Sequence, residues 1–160
     1  MRYLLPVALI LSCVGGSSIE QHGSTYFNQN GIEGIIFNEP FPSNYQSRAK
    51  RWSPSVSQVL CADSMVLWQN FKQLGGKSKE YMVDNCPVIA NNWDEFYRQV
   101  IGIENEKGQR ILLLNYFWKA DTLKFPKWKE ERVDMIGGCS YYWSIKFNIK
   151  KKQSFDLWVN

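Results

Sequence analysis

Histidine is almost missing from this chain. Among 160 residues there is one, His22. A Ser-His-Asp or Cys-His catalytic set therefore has no base in the body of the sequence, and a zinc site has no imidazole there. Cysteine is scarce too, at four residues. The spacings of Cys61, Cys86 and Cys139 match no zinc pattern, so neither a metal nor a cofactor is expected. No glycine-rich loop of the kind that cradles phosphate occurs, and Asn-x-Ser/Thr sequons are missing. Charge of one sign is not in excess either. Nineteen Lys and Arg stand among 15 Asp and Glu, for a net +4. Interspersed in this way they make no basic stripe, and nucleic acid is not an expected partner.

Aromatic residues are abundant. They make up 15% of the chain, a composition that favours sheet and excludes a mostly disordered polymer. The length suits one domain with appendages.

Residues 1–12 read as a signal peptide. Arg2 supplies the charged start, and Leu4 to Leu11 form an apolar run far below the roughly 20 residues a spanning helix needs. Ile10-Leu11-Ser12-Cys13 is similar to a bacterial lipobox, in which Cys13 becomes the acylated N-terminal residue. Two or three acyl chains on Cys13 would hold the protein on a membrane firmly, since one chain is marginal. Residues 13–51 then read as the lipidated cysteine and a flexible tether. Gly, Ser, Asn and Gln dominate it, and the short apolar patch Ile35-Ile36-Phe37 reads as either an added edge strand or a docking segment. At 5–6 Å × √n such a tether reaches roughly 30–40 Å. Arg48, Lys50 and Arg51 read as solvated linker charges.

The folded domain is expected over 52–160. Ser53 and Pro54 suit the N-cap and first position of a helix, and Gly75-Gly76 its stop. Val56, Val59, Leu60, Val66, Leu67, Phe71 and Leu74 fall on one face at 100° per residue, with Asp63 and Asn70 in the same stripe. A carboxylate on an apolar face needs a partner, and Arg98 and Asn115 are the expected ones. The segment 96–118 predicts a hairpin turning at Asn105-Glu106-Lys107-Gly108. Period-2 alternation puts Phe96, Arg98, Val100 and Gly102 on one side, and Tyr97, Gln99, Ile101 and Ile103 on the other. Residues 119–132 read as a mobile connection anchored by Phe125 and Trp128. Val133 to Ile136 is a further strand candidate, followed by a bulge or tight turn at Gly137-Gly138. A second hairpin follows, with Tyr141, Trp143, Ile145 and Phe147 on one side and Phe155, Leu157 and Val159 returning in the last strand. Its tip, Lys150-Lys151-Lys152, is either a solvated, aggregation-blocking end or a contact for anionic head groups.

One helix followed by four or five antiparallel strands is an α+β pattern with the helix on one sheet face, a cystatin-like or NTF2-like wrap. Tyr97-Arg98-Gln99 leading into Gly102, Lys107-Gly108, Asn115, Phe125-x-x-Trp128-Lys129, Gly137-Gly138 and Val159-Asn160 together resemble a family of uncharacterised exported lipoproteins of Bacteroidetes. The resemblance covers about residues 52–160. It implies an exported small domain and no particular reaction. That family more often carries Glu where Asp63 stands.

The function expected from this is a lipid-anchored, non-enzymatic binding domain in the bacterial envelope. Its partner would be another envelope protein, met through an aromatic sheet face including Tyr142 and Trp158. Two alternatives stand beside it. One is a small enzyme with a cavity lined by Asp63, Arg98, Tyr97 and Asn115, with Asp63 as general base. The other is a cystatin-like inhibitor or immunity protein, an argument from fold alone.

Overall fold

A computed structural model describes residues 18–21, 23–38, 50–72 and 86–160. The export segment, Cys13, His22 and the Gly75-Gly76 helix stop lie outside the described residues. In chain order the elements are β1 (Ser18–Gln21), β2 (Ser24–Gln29), β3 (Ile32–Phe37), β4 (Lys50–Arg51), α1 (Val56–Leu67), β5 (Phe96–Glu104), β6 (Arg110–Trp118), β7 (Tyr142–Asn148) and β8 (Gln153–Val159). The sheet runs β1-β2-β3-β5-β6-β7-β8, and β4 pairs with β5 beside β3. Every pairing is antiparallel except β3 with β5. The chain is thus α+β with one main helix, and its sheet has more strands than the four or five expected.

The additional strands come from the stretch that reads as tether. Tyr26-Phe27 and Ile35-Ile36-Phe37 flank Asn30-Gly31, and both turn residues have positive φ, 52° and 80°. Asn-Gly with two such angles is the two-residue turn that matches strand twist, so Gln29 faces Ile32 across it. Polar composition concealed a hairpin. Phe27 and Ile36 are fully buried in the helix-side core, and burying them outweighs the flexibility of the polar residues between. Ile35-Ile36-Phe37 is an interior strand, not an edge: it pairs with β2 on one side and with β5 on the other.

β3 and β4 share one edge of β5. β3 takes Tyr97 to Ile101, and β4 takes Ile103 and Glu104. Between them Gly102 accepts from the Trp52 N–H at 3.3 Å. A Cβ at Gly102 would sit 2.2 Å from the Trp52 carbonyl oxygen, so only glycine permits this approach.

The helix starts two residues later than expected. Ser55 is the N-cap: its hydroxyl accepts from the Gln58 N–H, and the Gln58 side chain accepts from the Ser55 N–H. This reciprocal box satisfies two amides and outcompetes Ser53. At the far end the helix widens into a π turn over Trp68–Lys72. There Gln69 and Asn70 turn to the start of β8: the Gln69 amide donates to Lys152 O at 2.7 Å, and Asn70 to Ser154 Oγ at 2.8 Å.

The two sheet faces carry different covers. On one, Val59, Ala62, Val66 and Phe71 pack against Val100, Leu112, Leu114, Trp143 and Ile145. On the other, the connection from 119 to 138 lies across the sheet, with Trp128 and Val133 each 5% exposed. Residues 133–136 form no strand, and the connection is held to the sheet by Gln99. The Gln99 amide donates to Trp128 O at 2.6 Å and Glu131 O at 2.8 Å, while its carbonyl accepts from the Val133 N–H at 2.8 Å. Cys86 and Cys139 form a disulfide with Cα atoms 6.0 Å apart, and Cys61 is an exposed free thiol.

Candidate functional site

Strand parity separates the expected site residues. Arg98 faces Tyr116 across β5 and β6, and Gln99 faces Asn115. Arg98 and Tyr116 therefore point to the helix, while Gln99 and Asn115 point to the other face.

On the helix side Asp63 is fully buried and its carboxylate is enclosed by donors. Trp93 Nε1 donates at 2.7 Å, Arg98 Nε at 3.1 Å and the Tyr116 hydroxyl at 2.9 Å. Arg98 also donates to Trp93 O at 2.7 Å and to Phe96 O. Its guanidinium carbon lies 5.4 Å from the Trp93 ring centre and 5.5 Å from that of Tyr116. Trp143 stacks on Tyr116 with centroids 3.6 Å apart. Burial, with the Asp63 charge beside it, holds the Tyr116 hydroxyl well above its ordinary pKa. Asp63, Arg98, Trp93 and Tyr116 are joined by hydrogen bonds, and the carboxylate, the guanidinium and the phenol are fully buried, while the Trp143 ring N–H is buried without a partner. The cluster fixes helix to sheet.

Asn115 is not a partner of Asp63, because the sheet lies between them. The third group on that carboxylate is Tyr116, one residue along. The Asn115 amide instead donates to Gln99 Oε1 at 3.1 Å and Val133 O at 2.9 Å. Asp63 and Arg98 on one face and Asn115 on the other share no cavity among the described residues.

The opposite face of β6, β7 and β8 carries an open cleft. Two cross-strand rows make its floor: Gln99, Asn115, Ser144 and Trp158 in one, and Ile101, Leu113, Lys146 and Phe155 in the next. A bulge creates the last column. The β7–β8 register shifts between Ser144 and Lys146, and Asp156 takes a left-handed φ of 52°. The extra residue reverses the parity of β8. Phe155 and Trp158, three apart, thus share the open face, while Leu157 and Val159 pack on the helix-side core. Phe155, Leu157 and Val159 do not form one side, as simple alternation predicts.

Trp158 is 53% exposed and Phe155 39%. Trp158, Asn115, Ser144, Arg132, Asn160 and Tyr142 border a cleft of about 420 Å³ beneath residues 133–136. Asp156 pairs with Lys146 at 2.9 Å on its flank. Tyr142 reaches this cleft only as floor. Phe125 packs edge-on to its ring, and its hydroxyl donates to Asp121 at 2.5 Å. Burial and the Asp121 carboxylate push that hydroxyl's pKa up. The Asp121 pKa moves down, although burial alone would raise it, because Lys124 and Tyr142 bond its oxygens.

Of the five residues expected to bind, Asn115, Tyr142 and Trp158 meet at this cleft, and Asp63 and Arg98 lie behind the sheet. Ser144, Lys146, Arg132 and Phe155 were missed. Strand parity could have found the first two, but the bulge leaves no mark in the residue pattern.

Among the described residues no group of three His, Cys, Asp or Glu could hold a metal, and no helix is long and apolar enough to cross a membrane. No family model, curated protein or solved structure matches the chain.

Proposed function

We propose that this chain is a lipid-anchored protein of the bacterial envelope whose domain binds a protein partner through the open face of β6, β7 and β8, without catalysis of its own. The observation that carries this reading is the β8 bulge. It holds two aromatic rings outward beside Ser144, Lys146 and Asn115, at the cost of a left-handed Asp156. Exposed aromatics set next to hydrogen-bonding groups are what protein contacts use. The anchor rests on Cys13 and the short apolar run before it. The resemblance of the short motifs over residues 52–160 to exported Bacteroidetes lipoproteins supports the same setting. Kinship with cystatin-like or NTF2-like wraps rests on α1 lying across the antiparallel run β5 to β8. On that view β1, β2, β3 and the parallel β3–β5 pairing are additions.

Asp63 offers little support for the enzyme alternative. Its carboxylate is saturated by donors and 0% exposed, so a substrate proton has no route to it.

A photo-crosslinking residue at position 158, introduced in the native cells, tests the binding surface. Position 123, 95% exposed and away from the cleft, is the control. A discrete adduct with one envelope protein from 158 alone supports the reading, and adducts equal at both positions would sink it. Intact mass of the detergent-extracted protein tests the anchor: a chain starting at Cys13 with acyl mass supports it, and an unlipidated start removes it.

A further inference from the structure

The β5–β6 and β7–β8 hairpins turn at the same end of the sheet. Glu104 faces Arg110 at the first turn, Ile111 faces Asn148 on the next strand, and the Ile149 N–H donates to Arg110 O at 3.1 Å. Charge is concentrated at this end. Lys150, Lys151 and Lys152 form one tip and Lys107 stands on the other, all exposed, and among the described residues none of the four is in an ion pair. Arg110 adds a fifth cation, its guanidinium 5.2 Å from the Trp52 ring centre. Two carboxylates oppose them, and one of these, Glu104, is engaged by Lys50 at 3.8 Å. Glu106 is the other. These seven groups alone carry a net +3, against +4 for the whole chain.

An exposed apolar side chain is next in sequence to a residue bonded to this tip. The Gln69 amide bonds Lys152 O, and the Gln69 carbonyl accepts from the Ser154 N–H at 3.0 Å. The π turn of the helix is thereby clamped to the lysine tip, bringing the neighbouring Trp68 to the same end. Trp68 is 59% exposed, an unusual state for so large a ring.

We infer that this end is a docking surface for an anionic lipid bilayer. Lysines on projecting turns meet a negative head-group layer, and tryptophan prefers the interface between head groups and acyl chains. Two separate charged turns with an exposed tryptophan at the same end suit the head-group and interfacial layers of a bilayer. The surface is distinct from the cleft at Trp158 and stands whether or not that cleft binds a partner. It would orient the domain on the membrane with β8 and the cleft standing along the bilayer normal.

The test uses the full chain mixed with vesicles of brominated phosphatidylcholine, with or without 30% brominated phosphatidylglycerol, reading tryptophan quenching. An acyl anchor would bring the chain to both vesicle types, so the difference between them reports the tip. Expected is quenching that depends on phosphatidylglycerol, disappears in Trp68→Phe and survives in Trp158→Phe. Each lysine is worth roughly fivefold in partitioning, so Lys150, Lys151 and Lys152 changed together to Gln should weaken it on the order of 100-fold. High salt should do likewise. Unchanged near-ultraviolet dichroism shows that these exposed changes leave the fold intact. Quenching that persists in Trp68→Phe, or ignores the lysines, overturns the inference. So does an equal affinity for soluble duplex DNA, which would mark a non-selective polyanion patch.

Discussion

Arg98 and Asp63 form an ion pair from which solvent is wholly excluded, Nε to Oδ1 at 3.1 Å. Removing two charges from water costs several kcal/mol per ion, and the pair persists because Trp93, Tyr116 and two backbone carbonyls complete its hydrogen bonding. Asp63→Ala leaves the guanidinium unpaired and should cost about 3–5 kcal/mol in urea unfolding. The double change Asp63→Leu with Arg98→Met should cost far less than the two single changes summed, because no charge stays buried alone. A loss below about 1 kcal/mol for Asp63→Ala would show that water reaches the pair.

The Cys86–Cys139 bond closes a loop of sequence separation 53. In chain-entropy terms that constrains the unfolded state by about 4 kcal/mol. Reduction should lower the unfolding free energy by that order. Mass spectrometry after alkylation should find Cys61 modified without reductant, and all three domain thiols modified after reduction and denaturation. Modification of Cys86 without reductant would contradict the pairing.

Four tyrosines set the alkaline limit, Tyr97 among them, raised by burial and by the nearby Glu33 charge. Burial raises Tyr116, Tyr142 and Tyr26, helped by Asp63, Asp121 and Glu33 in turn, and Tyr26 is pushed up to about 12. A raised folded pKa means the unfolded chain releases the proton first. Their contribution is complete below the ordinary tyrosine value of about 10 and is lost as pH climbs through the folded values. Stability should therefore fall steadily above pH 10. Asp121, lowered in the fold, acts at the other end: its contribution is present above the ordinary carboxylate range and lost as pH drops below it. Urea midpoints across both limits check the signs, and stability rising above pH 10 would refute the tyrosine argument.

Asp156 carries the bulge at a φ of 52°. Asp tolerates that region and a β-branched residue does not, the left-handed well costing roughly 1–2 kcal/mol for ordinary side chains. Asp156→Gly should stay within about 1 kcal/mol of the parent, losing only the exposed pair with Lys146. Asp156→Val should lose more, in thermal unfolding, and should reduce the solvent accessibility of Trp158 to acrylamide. Equal stability of the two variants would mean the bulge can move.

The residue pattern alone determined the elements whose signals are local. The Asn105–Gly108 turn, the alternation of β5 and the apolar stripe of α1 follow from side-chain size and period, and the structure has the turn, the alternation and the stripe from Val56 to Phe71, Leu74 lying outside the described residues. Asp63 in that stripe announced a buried partner, and parity put Arg98 on one side of β5 and Gln99 on the other. The tertiary structure decided what depends on distant neighbours. Whether Asn30-Gly31 is a tether or a hairpin turned on Phe27 and Ile36 finding a core to enter. Tyr116 rather than Asn115 meets Asp63 because pairing with β5 sets which face each β6 residue shows. Trp158 faces outward because one inserted residue reverses β8, a change of register that costs little locally and is repaid only once Leu157 and Val159 meet the helix side of the sheet. Period reports a side chain's direction within its own element; the partner it meets is set by long-range pairing.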